Sequence, residues 1–286
     1  MNLALGTVQF GMPYGIANIR GQVPFVEVKS ILHHSFQAGI DTLDTAVAYG
    51  DSEAYLGKAG VSGWRIVTKL PALPDEVGNV SEWLVHEVSG SLDRLRVSSL
   101  EALLIHRPSD LLGPLGGVYC DALRLIKEQG LAAAVGVSIY DPSELDALWP
   151  AFRPDIVQAP LNVLDRRLIR SGWLLRLVGS GVQIYTRSVF LQGLLLMPAE
   201  KRPGYFERWT TLFDRWSEWC EERGCSRLQG ALGYVMAQSG IDKVIVGVDS
   251  LAQLDEILAA AVPIESVPDD LFSEDLYLIE PSRWNI

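Results

Sequence analysis

Basic side chains are in short supply in this chain of 286 residues: 24 Lys and Arg stand against 35 Asp and Glu, a formal charge of −11 at pH 7. That balance excludes a general binder of phosphate backbones, which needs clustered cations, but leaves room for a small anionic ligand held by a few local groups. Cysteine is nearly absent. Cys120, Cys220 and Cys225 form no CxxC and leave an odd count, which excludes a disulfide framework and suits a reducing compartment. Long apolar runs are missing too: the stretch 174–196 is broken by Arg176, Gly179, Gly181 and Arg187, so no membrane span is expected. The opening residues MNLALGTVQFG have no basic start and turn polar too early for a secretory leader, so a cytoplasmic protein is the expectation. No His, Cys or carboxylate spacing suggests a metal site. Asn79-Val80-Ser81 has the form of a glycosylation acceptor, but residues that open a helix explain it better.

What the chain does have is a rhythm. With 48% hydrophobic and 21% charged residues it can bury a large core. Short β-branched runs at 3–8, 42–46, 65–70, 100–106, 133–138, 156–161, 182–186 and 243–248 read as strands. Amphipathic stretches at 26–38, 81–95, 119–129, 142–149, 174–179 and 251–260 read as helices. Asp141-Pro142-Ser143-Glu144 is a helix start by its residue types. Eight strands separated by helix-length segments predict a parallel sheet with right-handed crossovers, and eight is the number that closes a (β/α)8 TIM barrel. An open doubly wound sheet would carry GxGxxG after its first strand, and none is present. Extra helices near 205–222 and 227–238 follow strand 7. The first places Phe206, Trp209, Phe213, Trp216 and Cys220 at helical spacing, read as a core face. The whole of 1–286 is expected to form a single barrel domain, with 262–286 as an acidic C-terminal surface tail.

In such a barrel, reactive side chains gather where strands end. Strand 2 ends in Asp44 and runs on to Tyr49, strand 3 ends in Lys69, and strand 4 ends in His106. Each alone has a bland explanation: a helix cap, a half-buried aromatic, a snorkelling lysine, a structural imidazole. Together they suit one task. A phenol titrates near pH 10, and a neighbouring ammonium from Lys69 should lower that value. Asp44 would keep Lys69 charged and aimed, while His106 would hydrogen-bond a substrate carbonyl. No side chain is a nucleophile with a base beside it. The set supplies a proton and oxyanion support, and lacks only a hydride. Gly50 to Lys58 loosely resembles a phosphate loop, but its spacing is wrong.

Asp44-Thr45-Ala46-x-x-Tyr49-Gly50, with Glu53 and Leu56-Gly57 beyond it, resembles the signature of the aldo-keto reductase family; Thr68-Lys69 and Leu104-Ile105-His106-Arg107-Pro108 resemble its Lys and His segments. The resemblance runs from Leu5-Gly6-Thr7 to Val246-Gly247. It implies NAD(P)-dependent oxidoreduction with Asp44, Tyr49, Lys69 and His106 as the catalytic tetrad.

The same resemblance implies a cofactor track. Gly6, Thr7 and Asp44 would lie by the nicotinamide ribose, and Ser138 with Gln158 would bond the carboxamide. Ile139 stands where the family often has Asn. Arg187-Ser188 replaces a Tyr-Ser in which the ring stacks on the nicotinamide; a guanidinium can stack too, though less comfortably beside a cation. Phe190, Gln192 and Gly193 would follow the diphosphate. Gly247, Asp249, Ser250 and Gln253 would meet the adenosine end, with Gly247 in place of a common Lys and Gln253 in place of a common Arg. The family leans towards NADP(H). Asp249 pulls towards NAD(H), because a carboxylate suits ribose hydroxyls better than a phosphate, while free amides at the following helix start would suit a phosphate. Tyr14, Arg107 and Trp284, and Gln9 beside them, are candidates for the pocket of a small carbonyl substrate. The opening Gly-Thr-Val-Gln-Phe-Gly-x-x-Tyr-Gly is similar to reductases associated with sugars. Two other readings stay open: a cofactor-binding regulatory subunit with little turnover, and a Schiff-base lyase built on Lys69.

Overall fold

The computed structural model describes residues 2–286. Eight parallel strands close on themselves in chain order: β1 (Leu3–Gly6), β2 (Thr42–Asp44), β3 (Arg65–Leu70), β4 (Leu100–Ile105), β5 (Ala132–Ser138), β6 (Ile156–Pro160), β7 (Gln183–Arg187) and β8 (Lys243–Gly247). The closing seam sets Leu3 opposite Val244 and Gly6 opposite Gly247. The expected (β/α)8 barrel is therefore the fold.

Two separate apolar clusters hold it. Ala4, Val67, Ala102, Leu104, Ile156, Tyr185 and Ile245 fill the barrel interior. A larger cluster, including Leu3, Leu5, Leu43, Ile66, Leu103 and Val157, lies between strands and helices. This is the alternation of a strand written into the sequence. Stepping by two along the inward set gives Val67 then Lys69, Ala102 then Leu104 and His106, and Ile156 then Gln158. Each inward column begins apolar and ends polar at the carboxyl rim.

Local signals set the helix ends. Asn79 Oδ1 accepts from Ser81 and Glu82 amides and starts the helix Val80–Leu95, which accounts for the acceptor-like tripeptide. Glu144 reaches back to the amides of Tyr140 and Asp141, although the helix that follows is only Glu144–Leu148. The first predicted strand is shorter than expected, because Val8 opens a single helical turn, Val8–Gly11. The aromatic segment after β7 is divided into a 3-10 turn, Gly204–Trp209, and a helix, Thr210–Glu222. Its stripe is core, as expected: Phe206, Phe213, Trp216 and Cys220 are buried, and Trp216 stacks on Trp219 with centroids 5.4 Å apart.

The tail is not the loose surface extension expected from its composition. Leu271, Leu278 and Ile279 are buried, and Glu280 pairs with Arg167 at 2.9 Å. Arg167 also binds Asp141 and the fully buried Asp165, so one guanidinium ties the tail to the loops after β5 and β6.

Candidate active site

The strand ends bring the sequence-predicted polar groups onto the carboxyl rim of the barrel. Lys69 is 1% exposed, and its ammonium donates to both oxygens of Asp44, at 2.8 and 2.7 Å, and to the carbonyl of Thr45 at 2.9 Å. Burial pulls this ammonium below its ordinary pKa, and Asp44 opposes that pull. All three N–H donors of Lys69 are thus engaged. An amine so occupied and so paired is a poor nucleophile, which removes the basis for a Schiff-base lyase.

Asp44 is bound from the far side as well. The Gln158 amide donates to its Oδ1 at 2.7 Å, and the Ser138 hydroxyl donates to Gln158 Oε1 at 3.2 Å. All four side chains in this chain of bonds are buried, and it crosses the barrel from β5 to β3. Buried polar groups are retained where each finds partners, and here each does.

Tyr49 lies over this pair, with the Lys69 ammonium 5.1 Å from its ring centroid. His106 stands nearly perpendicular to it, centroids 6.2 Å apart. The expected lowering of the Tyr49 phenol by Lys69 is not what the geometry produces. Burial and the Asp44 carboxylate push the phenol pKa up, and the cation that pulls it down is Arg187. The reason is that Lys69 spends its charge on Asp44. The imidazole of His106 is brought down to about 4 by burial, Lys69 and Arg187, so it is neutral at pH 7.

A buried hydroxyl cluster fixes the turn that carries Tyr49. Ser52 Oγ donates to the Thr7 carbonyl at 2.9 Å, lies 2.8 Å from Thr7 Oγ1 and 3.0 Å from Thr45 Oγ1, and Thr7 Oγ1 donates to the Asp44 carbonyl. Glu53, 2% exposed, accepts from Thr68 Oγ1 at 2.5 Å and Arg94 Nε at 2.8 Å, coupling the segment after Tyr49 to the residue before Lys69. Gly11 packs so close to this turn that a Cβ there would stand 1.7 Å from the Tyr49 carbonyl oxygen.

The remaining expected residues are dispersed around the rim. Gly6 sits in register between Asp44 and Gly247. Arg187 does not present an open face: its guanidinium packs over the Tyr140 ring at 4.7 Å and donates to the Ile139 carbonyl at 2.9 Å and Ser188 Oγ at 3.1 Å. The segment after it carries positive φ at Ser188 (61°), Leu191 (48°), Gln192 (54°) and Gly193 (88°), with Phe190 among them packed against the core. Such strained backbone collects at functional sites. Tyr14 is 42% exposed, and its hydroxyl accepts from Gln192 at 3.4 Å. Two substrate candidates are engaged elsewhere. Arg107 is bound to Asp110 and to the Leu73 carbonyl. Trp284 donates to the Leu278 carbonyl at 3.0 Å and packs edge-on to Phe206, so it anchors the tail.

At the β8 end, Asp249 Oδ1 accepts from Asn18 at 3.2 Å and the Asp249 amide donates to Gln253 at 2.7 Å, while Ser250 caps the Gln253 amide. The first amide of the helix Leu251–Ala260 is already taken, by Glu27 Oε1 at 3.1 Å. Tyr140, Asn18 and Glu27 were missed from sequence. Tyr140 follows the end of β5 by two residues, a strand-end position like those of the other rim groups; Glu27 lies 224 residues from its partner and leaves no local mark.

Known proteins resemble this chain in sequence and in fold. The profile of the "Aldo/keto reductase family" matches residues 2–270. L-galactose dehydrogenase of Arabidopsis thaliana is 26% identical over 302 residues, 98% of this chain and 92% of that protein. NADH-specific methylglyoxal reductase of Escherichia coli is 25% identical over 268 residues, 78% and 79% of the two. Among solved structures, a holo aldo-keto reductase from Bacillus halodurans superposes with TM-score 0.74 at 20% identity, over 93% of this chain and 87% of that one. A glycerol dehydrogenase from Gluconobacter oxydans gives 0.71 at 23%, over 94% and 88%. At these identities the structures speak for the fold, and the profile speaks for descent. This chain belongs to the aldo/keto reductase family, whose members are NAD(P)H-dependent oxidoreductases acting on small carbonyl compounds.

Proposed function

We propose that this chain reduces a small hydroxylated aldehyde or ketone to its alcohol, with Tyr49 as proton donor, Asp44 and Lys69 as the charge behind it, and His106 aiming the carbonyl. The observation that carries the reading is the buried Asp44–Lys69 pair lying under the ring of Tyr49, beside a neutral imidazole. Burial of an ion pair is costly, and a chain keeps one where its charge is used. A neutral His106 still has one N–H to donate to a carbonyl oxygen, and that N–H is too weakly acidic to compete with Tyr49 as the proton donor. A phenol raised by burial stays protonated until oxyanion charge develops on the substrate, and then gives its proton to it; Arg187, the cation that pulls this phenol down, favours the phenolate left behind. The hydroxyl-rich rim of Tyr14, Tyr49 and Tyr140 and the sugar substrate in the name of the relative L-galactose dehydrogenase support a hydroxylated substrate.

The residues fit a nicotinamide dinucleotide. Ser138 and Gln158 offer a donor and acceptor side by side for a carboxamide. Gln9 Oε1 is buried with no partner beside Gly247, whose missing side chain keeps that surface open; a Cβ would come within 2.6 Å of the Gln9 amide. When bound, the dinucleotide supplies the hydride. For its adenosine end we infer NAD(H) over NADP(H), against the family's lean. Glu27 holds the helix amide that would receive a 2′-phosphate, and Asp249 adds a second carboxylate.

Two measurements test this. Tyr49→Phe should lower kcat for glyceraldehyde-type substrates by about 10²–10⁴-fold with little change in NADH affinity. Fluorescence titration should show NADH binding at least about tenfold tighter than NADPH. A Phe variant that keeps its turnover sinks the proton-donor role, and NADPH binding as tight as NADH sinks the adenosine reading.

A further inference from the structure

The rim carries a cation that no carboxylate neutralises. Lys69 is matched by Asp44, Arg107 by Asp110, Arg167 by Asp141, Asp165 and Glu280, and Arg20 by Glu27. Among the described residues Arg187 has no acidic side chain within ion-pair distance; its hydrogen bonds go to a carbonyl and a hydroxyl, and its packing to the Tyr140 ring. It is also held in place. The β7 register sets it opposite Pro160, the Leu161 amide bonds its carbonyl at 3.1 Å, and the next residue is fixed by Asn162. Its guanidinium binds Ile139, directly after Ser138, which bonds Gln158, which bonds Asp44. The charge is felt across the site, at Tyr49, His106 and Lys69; it also reaches the buried Asp165 carboxylate, which is itself ion-paired to Arg167 rather than to Arg187.

A carbonyl carbon whose oxygen meets Tyr49 and His106 must have the hydride source against it. Tyr49 and His106 both feel the Arg187 charge, so a hydride source set against that carbonyl lies within the same field. A reduced nicotinamide ring is neutral, and an oxidised one carries a positive charge. We propose that Arg187 is a specificity-determining residue for the oxidation state of the cofactor: its uncompensated charge repels the oxidised ring and leaves the reduced ring untouched. The proposal rests on the carbonyl-reductase reading above. Two unit charges on a partly buried rim interact strongly enough for this to be read easily. The consequence is kinetic: the oxidised dinucleotide leaves more readily than the reduced one, so carbonyl reduction is weakly inhibited by its own nucleotide product, while the overall equilibrium is unchanged. Tyr140 takes part by filling one face of the guanidinium, so that the charge faces the rim without drifting to solvent.

The test compares Kd for NAD and NADH by calorimetry or by NADH fluorescence with NAD as competitor, in wild type, Arg187→Gln and Arg187→Lys. In the wild type NADH binds more tightly than NAD. In Arg187→Gln the ratio of the two constants should fall by about tenfold, or 1.4 kcal/mol, chiefly through tighter NAD. Arg187→Lys keeps the charge and should keep most of the ratio. A ratio unchanged in Arg187→Gln overturns the inference, as does a Lys variant that behaves like the Gln variant. Both outcomes leave the reductase reading standing, since both nucleotides still bind. A wild type that binds neither nucleotide overturns that reading and this inference with it. Retained NADH binding in each variant also reports that the site has folded.

Discussion

His106 offers a titration at the scale of one residue. Its ordinary pKa of 6.5 falls to about 4 in the folded chain, chiefly through burial. Between those values the unfolded chain takes a proton that the folded chain refuses, so stability rises with pH across this window and is lost as pH falls towards 4. The full shift corresponds to about 3 kcal/mol. Urea unfolding at pH 7 and pH 4.5 should show a loss that is clearly smaller in His106→Asn, the difference isolating this imidazole from the carboxylates. Equal losses in the two proteins would refute the assignment. Lys69→Met makes a companion case. It strands the Asp44 carboxylate in the barrel with only the Gln158 amide and should cost about 3–5 kcal/mol, measured by the same unfolding curves; a variant as stable as the parent would mean that Asp44 is readily solvated.

Among the elements, the turn from β2 to the helix Ser52–Ala59 decides where the phenol stands. Gly11→Ala forces a methyl group against the Tyr49 carbonyl, so the turn must shift. Displacing a reacting group by about 1 Å can cost about 10²-fold. The expected outcome is a drop of that order in kcat with a smaller change in NADH affinity, and unchanged kcat would show that the turn yields without moving the ring. The loop clamp at Arg167 is a second element-scale device. Arg167→Met leaves Asp165, which burial already raises, without its counterion. Stability should fall by about 3–5 kcal/mol at pH 7, and the deficit should narrow as the pH is lowered and the carboxyl takes a proton. A deficit that does not depend on pH would put the loss in packing. These elements also mark what the sequence makes legible. Strands and long helices announce themselves through period, and Asn79 announces a helix start through chemistry that acts within four residues. The split of the aromatic segment at Trp209 and the brevity of the helix Glu144–Leu148 depend on tertiary packing, and no local pattern encodes them.

At the scale of the whole molecule, closure was readable because eight strands of one hand have one economical solution. The convergence of Asp44, Tyr49, Lys69 and His106 was readable for the same reason, since strand ends share a rim. What escaped was every pairing that joins distant rims: Gln158 on Asp44, Asn18 on Asp249, Glu27 on the amide of Leu251, and Tyr140 beneath Arg187. Such contacts depend on the rotation of the barrel's loops, which single-residue propensities do not carry. The tail escaped likewise, its acidic composition concealing the buried Leu271 and Leu278.

The seam between β1 and β8 has a consequence for how the chain is made. Leu3 meets Val244 and the amide of Val244 binds the Asn2 carbonyl, so β1 finds its second neighbour only after the long stretch of chain up to β8 has been made. At a synthesis rate of about 5–20 residues per second, Leu3–Gly6 waits roughly 10–50 s at the ribosome with one edge bare. During that interval the nascent chain is a curved open sheet whose free edge is apolar, the form in which it is most open to capture by chaperones or by another copy of itself.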